Sequence, residues 1–291
     1  MVVPYRLDLT VSVLRRLSTN LVDVLTPEGQ YVRLLGGAGL PLIARVTQSA
    51  PDALVVELEG DAREHAPALA LVKRTLGVDR DVASFNRAAE RLPWLAPLAR
   101  RMRGVKPPRY PTLWETFVNA IVFQQVSLFA ASAIMRRMVL ALGSPIEHGG
   151  VTLYAPPEME RVVTADDSLM RSLGLSAGKL VALRGAAESI ASGALSEALL
   201  EERPSPDAAA LLGTLKGIGP WTAAVILLRG FGRLDVFPMN DSSVARNLAL
   251  VAGPVQLDIP ASLEVLGAQR GMLYYNLLLA RLESRGEVGR P

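Results

Sequence analysis

Hydrophobic and polar positions alternate with period two near the start of the chain. Tyr5, Leu7, Leu9, Val11 and Val13 fall on one side, and Arg6, Asp8, Thr10 and Ser12 on the other. This pattern predicts a half-buried strand within an antiparallel sheet. Further strands are predicted over residues 21–25, 31–35, 42–47 and 53–59. The turn signals Thr26-Pro27-Glu28-Gly29, Gly36-Gly37-Ala38-Gly39 and Ser49-Ala50-Pro51-Asp52 separate them. A helix over 66–76 follows and stops at Gly77. From Asp81 onward the spacing turns helical, predicting helices over 82–91, 112–142, 166–173, 179–192, 194–201, 207–215, 221–229, 242–251, 260–266 and 272–284. The long apolar run after Thr112 is expected to break at Gln124-Gln125, where two amides interrupt it. The change of period near residues 78–88 makes the predicted fold class α+β. A small N-terminal antiparallel sheet domain (1–80) precedes an all-helical body (81–291).

Composition narrows the chemistry. The 291 residues are 50% apolar, enough to bury the cores of about two domains without staples. There is no cysteine, which excludes disulfides, thiolate zinc sites, cysteine-ligated clusters and a cysteine nucleophile. His65 and His148 are the only histidines, too few for a histidine metal site or a familiar triad. The N-terminus lacks a basic start with an apolar core, and no apolar run reaches about 18 residues. The expectation is a cytoplasmic protein with no membrane partner. The charge balance, 31 − 28 = +3, leans mildly towards polyanions. Arg100, Arg101, Arg103, Lys106 and Arg109 form a basic segment with no acid among them. Alone, such a run reads as a solvated linker more often than as a phosphate-binding surface.

Two segments carry candidate chemistry. In Leu215-Lys216-Gly217-Ile218-Gly219-Pro220-Trp221-Thr222-Ala223 a helix ends in a tight turn and a new one starts at once. Pro220 suits a first helical turn, and the free N–H groups at a helix start accept an anion such as a DNA phosphate. The second segment lies 22 residues beyond Gly219, where strand-like Leu234-Asp235-Val236-Phe237 passes through Pro238-Met239-Asn240 to Asp241. Asp241 stands where a helix N-cap belongs, and a capping carboxylate can also face a cleft.

Together these segments resemble the helix–hairpin–helix DNA glycosylase superfamily, within it the AlkA-like, 3-methyladenine DNA glycosylase II branch. Further matches are Ala120-Ile121-Val122-Phe123-Gln124-Gln125-Val126-Ser127, preceded by the basic stretch Pro107-Pro108-Arg109, and the turn Arg171-Ser172-Leu173-Gly174-Leu175. The resemblance covers residues 78–285 and implies two helical subdomains around a cleft. It also implies a monomeric base-excision enzyme, associated with the nucleoid, that acts on double-stranded DNA containing a damaged base. Such an enzyme flips out an alkylated purine and hydrolyses its N-glycosidic bond. The alternatives are a glycosylase for oxidised purines such as 8-oxoguanine, or a non-enzymatic DNA-binding protein.

By resemblance, Asp241 is the catalytic carboxylate. Trp221, Trp114, Phe123, Tyr274 and Tyr275 are the candidate walls of the base pocket. Gln124, Gln125, Gly217, Gly219, Thr222 and Arg109 are the candidate DNA contacts, with Gln125 plugging the gap left by the flipped nucleotide. The relatives' hairpin also implies a structural Na+ or K+ on the backbone carbonyls of Gly213, Leu215 and Ile218, and no required cofactor. Bifunctional glycosylase–lyases carry a Schiff-base lysine two residues after the second hairpin glycine. Here that position is Trp221, which implies a monofunctional enzyme.

Overall fold

The computed structural model describes residues 1–35, 41–148, 151–239, 241–253 and 257–290. The predicted turn at Gly36-Gly37-Ala38-Gly39, like Asn240, lies outside them.

The chain opens not on a strand but on helix α1 (Leu7–Arg15). Eight of its nine residues are buried, and its polar residues at 8, 10 and 12 alternate over too short a segment to separate a strand period from a helical one. The polar positions that suggest alternation include small hydroxyls that find partners inside. Thr10 Oγ1 donates to the Arg6 carbonyl (2.8 Å) and accepts the Lys106 N–H (3.1 Å), and Ser12 Oγ accepts the Gly289 N–H (2.9 Å).

Four antiparallel strands follow in sequence order: β1 (Val24–Leu25), β2 (Tyr31–Leu35), β3 (Leu42–Ala50) and β4 (Ala53–Glu59). β1 is shorter than predicted because residues before it turn on the Asn20 side chain, whose oxygen accepts the Val22 and Asp23 N–H groups. Every residue of β2 is buried, since both faces of the sheet are covered. Tyr31, Leu35, Leu42, Ala44 and Val46 face a core shared with α1 and with α2 (His65–Thr75). Val32, Leu34 and Ile43 meet Leu153.

Helices α3 (Ala83–Ala89), α4 (Ala96–Arg101), α5 (Leu113–Val122) and α6 (Leu128–Leu142) come next. The break between α5 and α6 falls at the two glutamines, as their interruption of the apolar run predicts. The part predicted to be all-helical then contains a hairpin, β5 (Pro145–His148) and β6 (Val151–Tyr154). Its four-residue strands are too short to announce a period, and Leu153 supplies the second cover of the sheet.

The remaining helices are α7 (Met159–Thr164), α8 (Asp167–Ser172), α9 (Ala177–Ala191), α10 (Glu197–Glu201), α11 (Ser205–Gly213), α12 (Pro220–Phe231), α13 (Ser242–Ala252), α14 (Ile259–Leu266) and α15 (Met272–Glu283). Residues 234–237 are not a strand. They form a turn that accepts the Gly271 N–H on the Leu234 carbonyl (2.7 Å), with no neighbouring strand to pair with among the described residues. One core gathers α5, α9, α11 and α12. Another joins Leu9 and Val13 of α1 to α13, α14 and α15.

A buried ionic cluster ties the sheet to α5. Arg33 of β2 bonds Asp23 through Nη1 (2.5 Å) and Glu115 of α5 through Nη2, and Tyr31 donates to the same Asp23 oxygen (2.9 Å). Removing one member of a buried ion pair leaves the others uncompensated. Arg33→Met should therefore lose about 3–5 kcal/mol of stability in urea unfolding. A loss under about 1 kcal/mol would show that solvent relieves Asp23 and Glu115.

Candidate active site

The turn between α11 and α12 owes its shape to two glycines with different duties. Gly217 has φ +86°, and a Cβ there would lie 2.8 Å from Ala182 Cβ of α9, so packing itself demands glycine. Around Gly219, the N-cap of α12, a Cβ would meet nothing within 4 Å. That open space lies at a helix start where the N–H groups of Trp221 and Thr222 have no intrahelical acceptor. It is a place where a ligand's oxygen can approach the backbone.

Asp241 caps α13. Its Oδ1 accepts the Ser243 N–H (2.7 Å) and the Ser243 hydroxyl (2.6 Å), and its Oδ2 accepts the indole N–H of Trp221 (2.9 Å). Three donors from two elements thus hold one half-buried carboxylate at a helix N-terminus, where the dipole favours negative charge. The capping expectation holds. The tryptophan bond is a contact that sequence reasoning missed, although an indole N–H is donor-only and seeks an acceptor when half-buried. Trp221 therefore offers its ring edge to Asp241 as well as any face to a base. Asp235 is exposed and makes no such contact among the described residues.

The two glutamines part company. Gln124 Nε2 donates to the Gly217 carbonyl (2.9 Å) and to Thr222 Oγ1 (2.8 Å), fastening the α5–α6 joint to the turn. Its amide donors and the buried Thr222 hydroxyl are thus engaged within the protein, while the Thr222 N–H at the helix start keeps no intrahelical acceptor. Gln125 is exposed with φ +54°, a conformation non-glycine residues rarely adopt. Exposed Val126 and Phe129 follow it.

Of the five aromatic residues read as pocket walls, two spend their polar groups on carbonyls inside the protein. Trp114 sits in the first turn of α5, about 13 Å of helix from Phe123, and donates to the Pro157 carbonyl (2.9 Å). Tyr275 is fully buried with its hydroxyl on the Leu228 carbonyl (3.0 Å), so it is core. Trp221, Phe123 and Tyr274 remain half-buried. The Phe123 ring is already covered: the Arg16 guanidinium lies 3.5 Å from its centroid.

The basic segment is also corrected. Arg100 pairs with Glu90, Arg101 with Glu283 and Arg109 with Glu201, while Lys106 is buried. Arg109 further donates to the Gly230 carbonyl (2.9 Å), near the C-terminal end of α12 and about 15 Å of helix from Gly219. Glu283 and Glu201 lie far along the chain from their partners, and Glu90 reaches Arg100 only through the turn between α3 and α4, so spacing alone could not reveal the pairing. The carbonyls assigned to a cation belong to the same turn, where the Leu215 oxygen already accepts the Ile218 N–H (3.1 Å). Among the described residues no group of three or more His, Cys, Asp or Glu could hold a metal ion. Nor is any helix among them long and apolar enough to cross a membrane.

Comparison with known proteins places this geometry. No family model matches the chain. A DNA-3-methyladenine glycosylase of Bacillus subtilis is 28% identical over 174 residues, covering 60% of this chain and 57% of the relative. An AlkA of Mycobacterium tuberculosis, named as a probable bifunctional transcriptional activator and DNA repair enzyme, is 30% identical over 239 residues, or 80% of this chain and 45% of the relative. The chain thus spans about half the length of the curated relatives it matches. The structure of a 3-methyladenine DNA glycosylase from Archaeoglobus fulgidus superposes with a TM-score of 0.75 at 25% identity, covering 96% of this chain and 97% of that one. The turn-and-carboxylate arrangement thus stands in a chain whose sequence and fold are similar to those of DNA-3-methyladenine glycosylases, AlkA among them.

Proposed function

We propose that this protein is a monofunctional DNA glycosylase that releases alkylated purines of the 3-methyladenine type in base excision repair. The observation that carries the reading is the 2.9 Å bond between Trp221 and Asp241. It joins an anion-accepting helix start to a fixed carboxylate, so a DNA strand gripped by phosphate at Gly219 presents a neighbouring sugar to Asp241. The names of the relatives, DNA-3-methyladenine glycosylases among them, favour the same substrate class.

A base inside a duplex is out of reach, so the nucleotide must be flipped out, at a cost of a few kcal/mol. Gln125, exposed beside the turn, is the side chain proposed to fill the gap. As the C1′–N bond breaks, its electron pair leaves with the base and positive charge builds on the sugar. The Asp241 carboxylate stabilises that charge without moving, because Ser243 and Trp221 hold both oxygens. Water then bonds to C1′, and its proton goes to solvent or to the departing base. A methylated purine that already carries positive charge leaves as a neutral molecule, so no strong general acid is required.

The same reading divides the chain into residues 1–80, a sheet domain, and 81–291, the glycosylase body with two helical subdomains around the cleft. The confinement of the four-stranded sheet to residues 24–59 supports that division. It makes the protein a monomer acting on double-stranded DNA in the cytoplasm, at the nucleoid. A Na+ or K+ at the hairpin would rest on the Gly213, Leu215 and Ile218 carbonyls, tightening the turn against phosphate. The Leu215 oxygen, with one lone pair engaged by the Ile218 N–H, keeps the other for that cation. No other cofactor is part of the proposal.

Three outcomes test this reading. Asp241→Asn keeps a capping side chain, so stability should change by no more than about 1 kcal/mol. Single-turnover base release should nonetheless fall by about 10²–10³, the usual effect of losing a preorganised electrostatic partner. Asp235→Asn should leave release near normal, and near-normal release by Asp241→Asn would overturn the site. Trp221→Phe retains the ring but loses the N–H, and should slow release roughly tenfold while binding to an abasic-site analogue is kept. Equal loss of binding and release would instead make Trp221 a DNA contact. Borohydride should trap no covalent complex with the unmodified protein, and trapping would refute the monofunctional reading.

A further inference from the structure

A cavity of about 300 Å³ shares no residue with the hairpin or with Asp241. Its size reaches the lower end of the roughly 300–1,000 Å³ usual for ligand pockets. Its walls are α3, α4, the loop that follows α4 and the segment before α1. Four cations line it, Arg87, Arg100, Arg103 and Lys106, against the two acids Asp81 and Glu90, which leaves a net charge of +2. Both acids are already engaged. Glu90 accepts from Arg100 Nε (2.9 Å) across the α3–α4 turn, and Asp81 Oδ1 accepts the Ala83 N–H (2.8 Å). Arg87, Arg103 and Lys106 then have no carboxylate within ion-pair distance among the described residues.

Lys106 sets this cavity apart from an ordinary basic surface. It is 1% exposed, and its ammonium makes no hydrogen bond or ion pair among the described residues. A buried ammonium without an acceptor forfeits its hydration. The backbone around it is fixed on three sides. The Lys106 N–H donates to Thr10 Oγ1 (3.1 Å), and the Arg6 N–H donates to the Gly104 carbonyl (2.8 Å), holding the segment before α1 against this loop. Gly77, at φ +59°, lets the loop close in from the other side. A Cβ there would lie 2.8 Å from the Pro107 oxygen and 3.4 Å from Lys106 Cβ. With its stem held in this way, Lys106 opens onto the cavity, where Asp81 is the charge that acts on it. Burial lowers the ammonium's pKa, and an anion in the cavity would raise it again.

Lysine and arginine offer donors and no acceptor, so the group that satisfies them is an anion with several oxygens. A phosphate monoester carries about −1.5 to −2 near neutral pH, with three strong acceptor oxygens. It therefore matches both the charge of the walls and the three donors left without a partner. A diester within a DNA strand carries a single charge and runs along a protein's surface. A lysine at 1% exposure is reached only by a group that enters the concavity. We propose that this cavity is a binding site for a phosphate dianion, free or as the terminal group of a monoester, held by Lys106, Arg87 and Arg103. Arg100, tied to Glu90, adds positive charge beside it. A phosphate so held joins α3 to the loop after α4, and it stabilises the folded chain because the unfolded chain has no such site. The site stands apart from the glycosylase reading and does not depend on it.

Inorganic phosphate titrated into the protein at constant ionic strength tests the site, with binding read by calorimetry and the urea midpoint measured in parallel. One phosphate should bind per chain, and the midpoint should rise with phosphate concentration. Lys106→Met keeps the buried stem and removes the charge. It should weaken phosphate binding tenfold or more, the size of roughly one hydrogen bond to a charged group. Its midpoint without phosphate should hold or rise, because an uncompensated buried charge is gone. Arg103→Gln, at an exposed position, should weaken binding roughly tenfold and leave the phosphate-free midpoint unchanged. Deoxyadenosine 5′-monophosphate identifies the source. Binding as tight as that of inorganic phosphate assigns the cavity to monoesters, much weaker binding assigns it to the free ion, and either result supports the site. Absence of binding at millimolar phosphate, or stabilisation that chloride reproduces or that survives unchanged in both variants, would overturn it. So would displacement of bound phosphate by a duplex without terminal phosphates, which would make the cavity a contact for DNA diesters. Should Lys106→Met not fold, Arg103→Gln and Arg87→Gln, both at exposed positions, decide the outcome.

Discussion

A buried guanidinium must find acceptors or forfeit the free energy of its hydration, and Arg229 meets that demand by holding the end of α1 against α12. Its bonds to the Val13 and Leu14 carbonyls set where α1 stops, and hence where Arg16 stands. Arg16 covers Phe123, and the next residue, Gln124, grips Gly217 and Thr222 at the start of α12. From that start Trp221 reaches Asp241. The contacts run from one end of α12, through the N-terminal helix and the α5–α6 joint, back to its other end. Trp221 and Arg229 lie eight residues apart on that helix, so a single element carries both the indole that holds the carboxylate and the guanidinium that anchors the end of α1.

This closed circuit explains which features are legible in the sequence. The turn at Gly217 and Gly219, the break at Gln124 and the cap at Asp241 are local events, each decided by residues within a few positions. Amphipathic helices such as α13 declare themselves for the same reason. The first helix does not. Its polar residues fall at every second position over a short segment, so Asp8, Thr10 and Ser12 imitate a strand. The β5–β6 hairpin escapes notice because its purpose, covering Val32, Leu34 and Ile43, lies more than a hundred residues upstream. Arg100, Arg101 and Arg109 look free because Glu90, Glu283 and Glu201 approach them only in three dimensions.

The roles of the aromatic residues divide along the same line. Composition and resemblance offer five rings, but the acceptors around each decide its duty. Tyr275 gives its hydroxyl to a core carbonyl and Trp114 gives its N–H to Pro157. Trp221 gives its N–H to the carboxylate of Asp241, so its polar edge is spent on that group. A ring's position in the sequence carries no record of where its polar edge finds a partner.

The charges tied to α12 follow the helix itself. At its N-terminal end Trp221 holds a carboxylate that two Ser243 donors also fix. In its last turn stands Arg229, about 12 Å of helix from Trp221, with its Nη2 on the Val13 and Leu14 carbonyls. The helix dipole favours an anion near the first turn and a cation in the last, so both charges sit where the helix stabilises them. The element that fixes Asp241 is therefore anchored at its other end by a charge of the opposite sign, and neither end can shift without loss at the other.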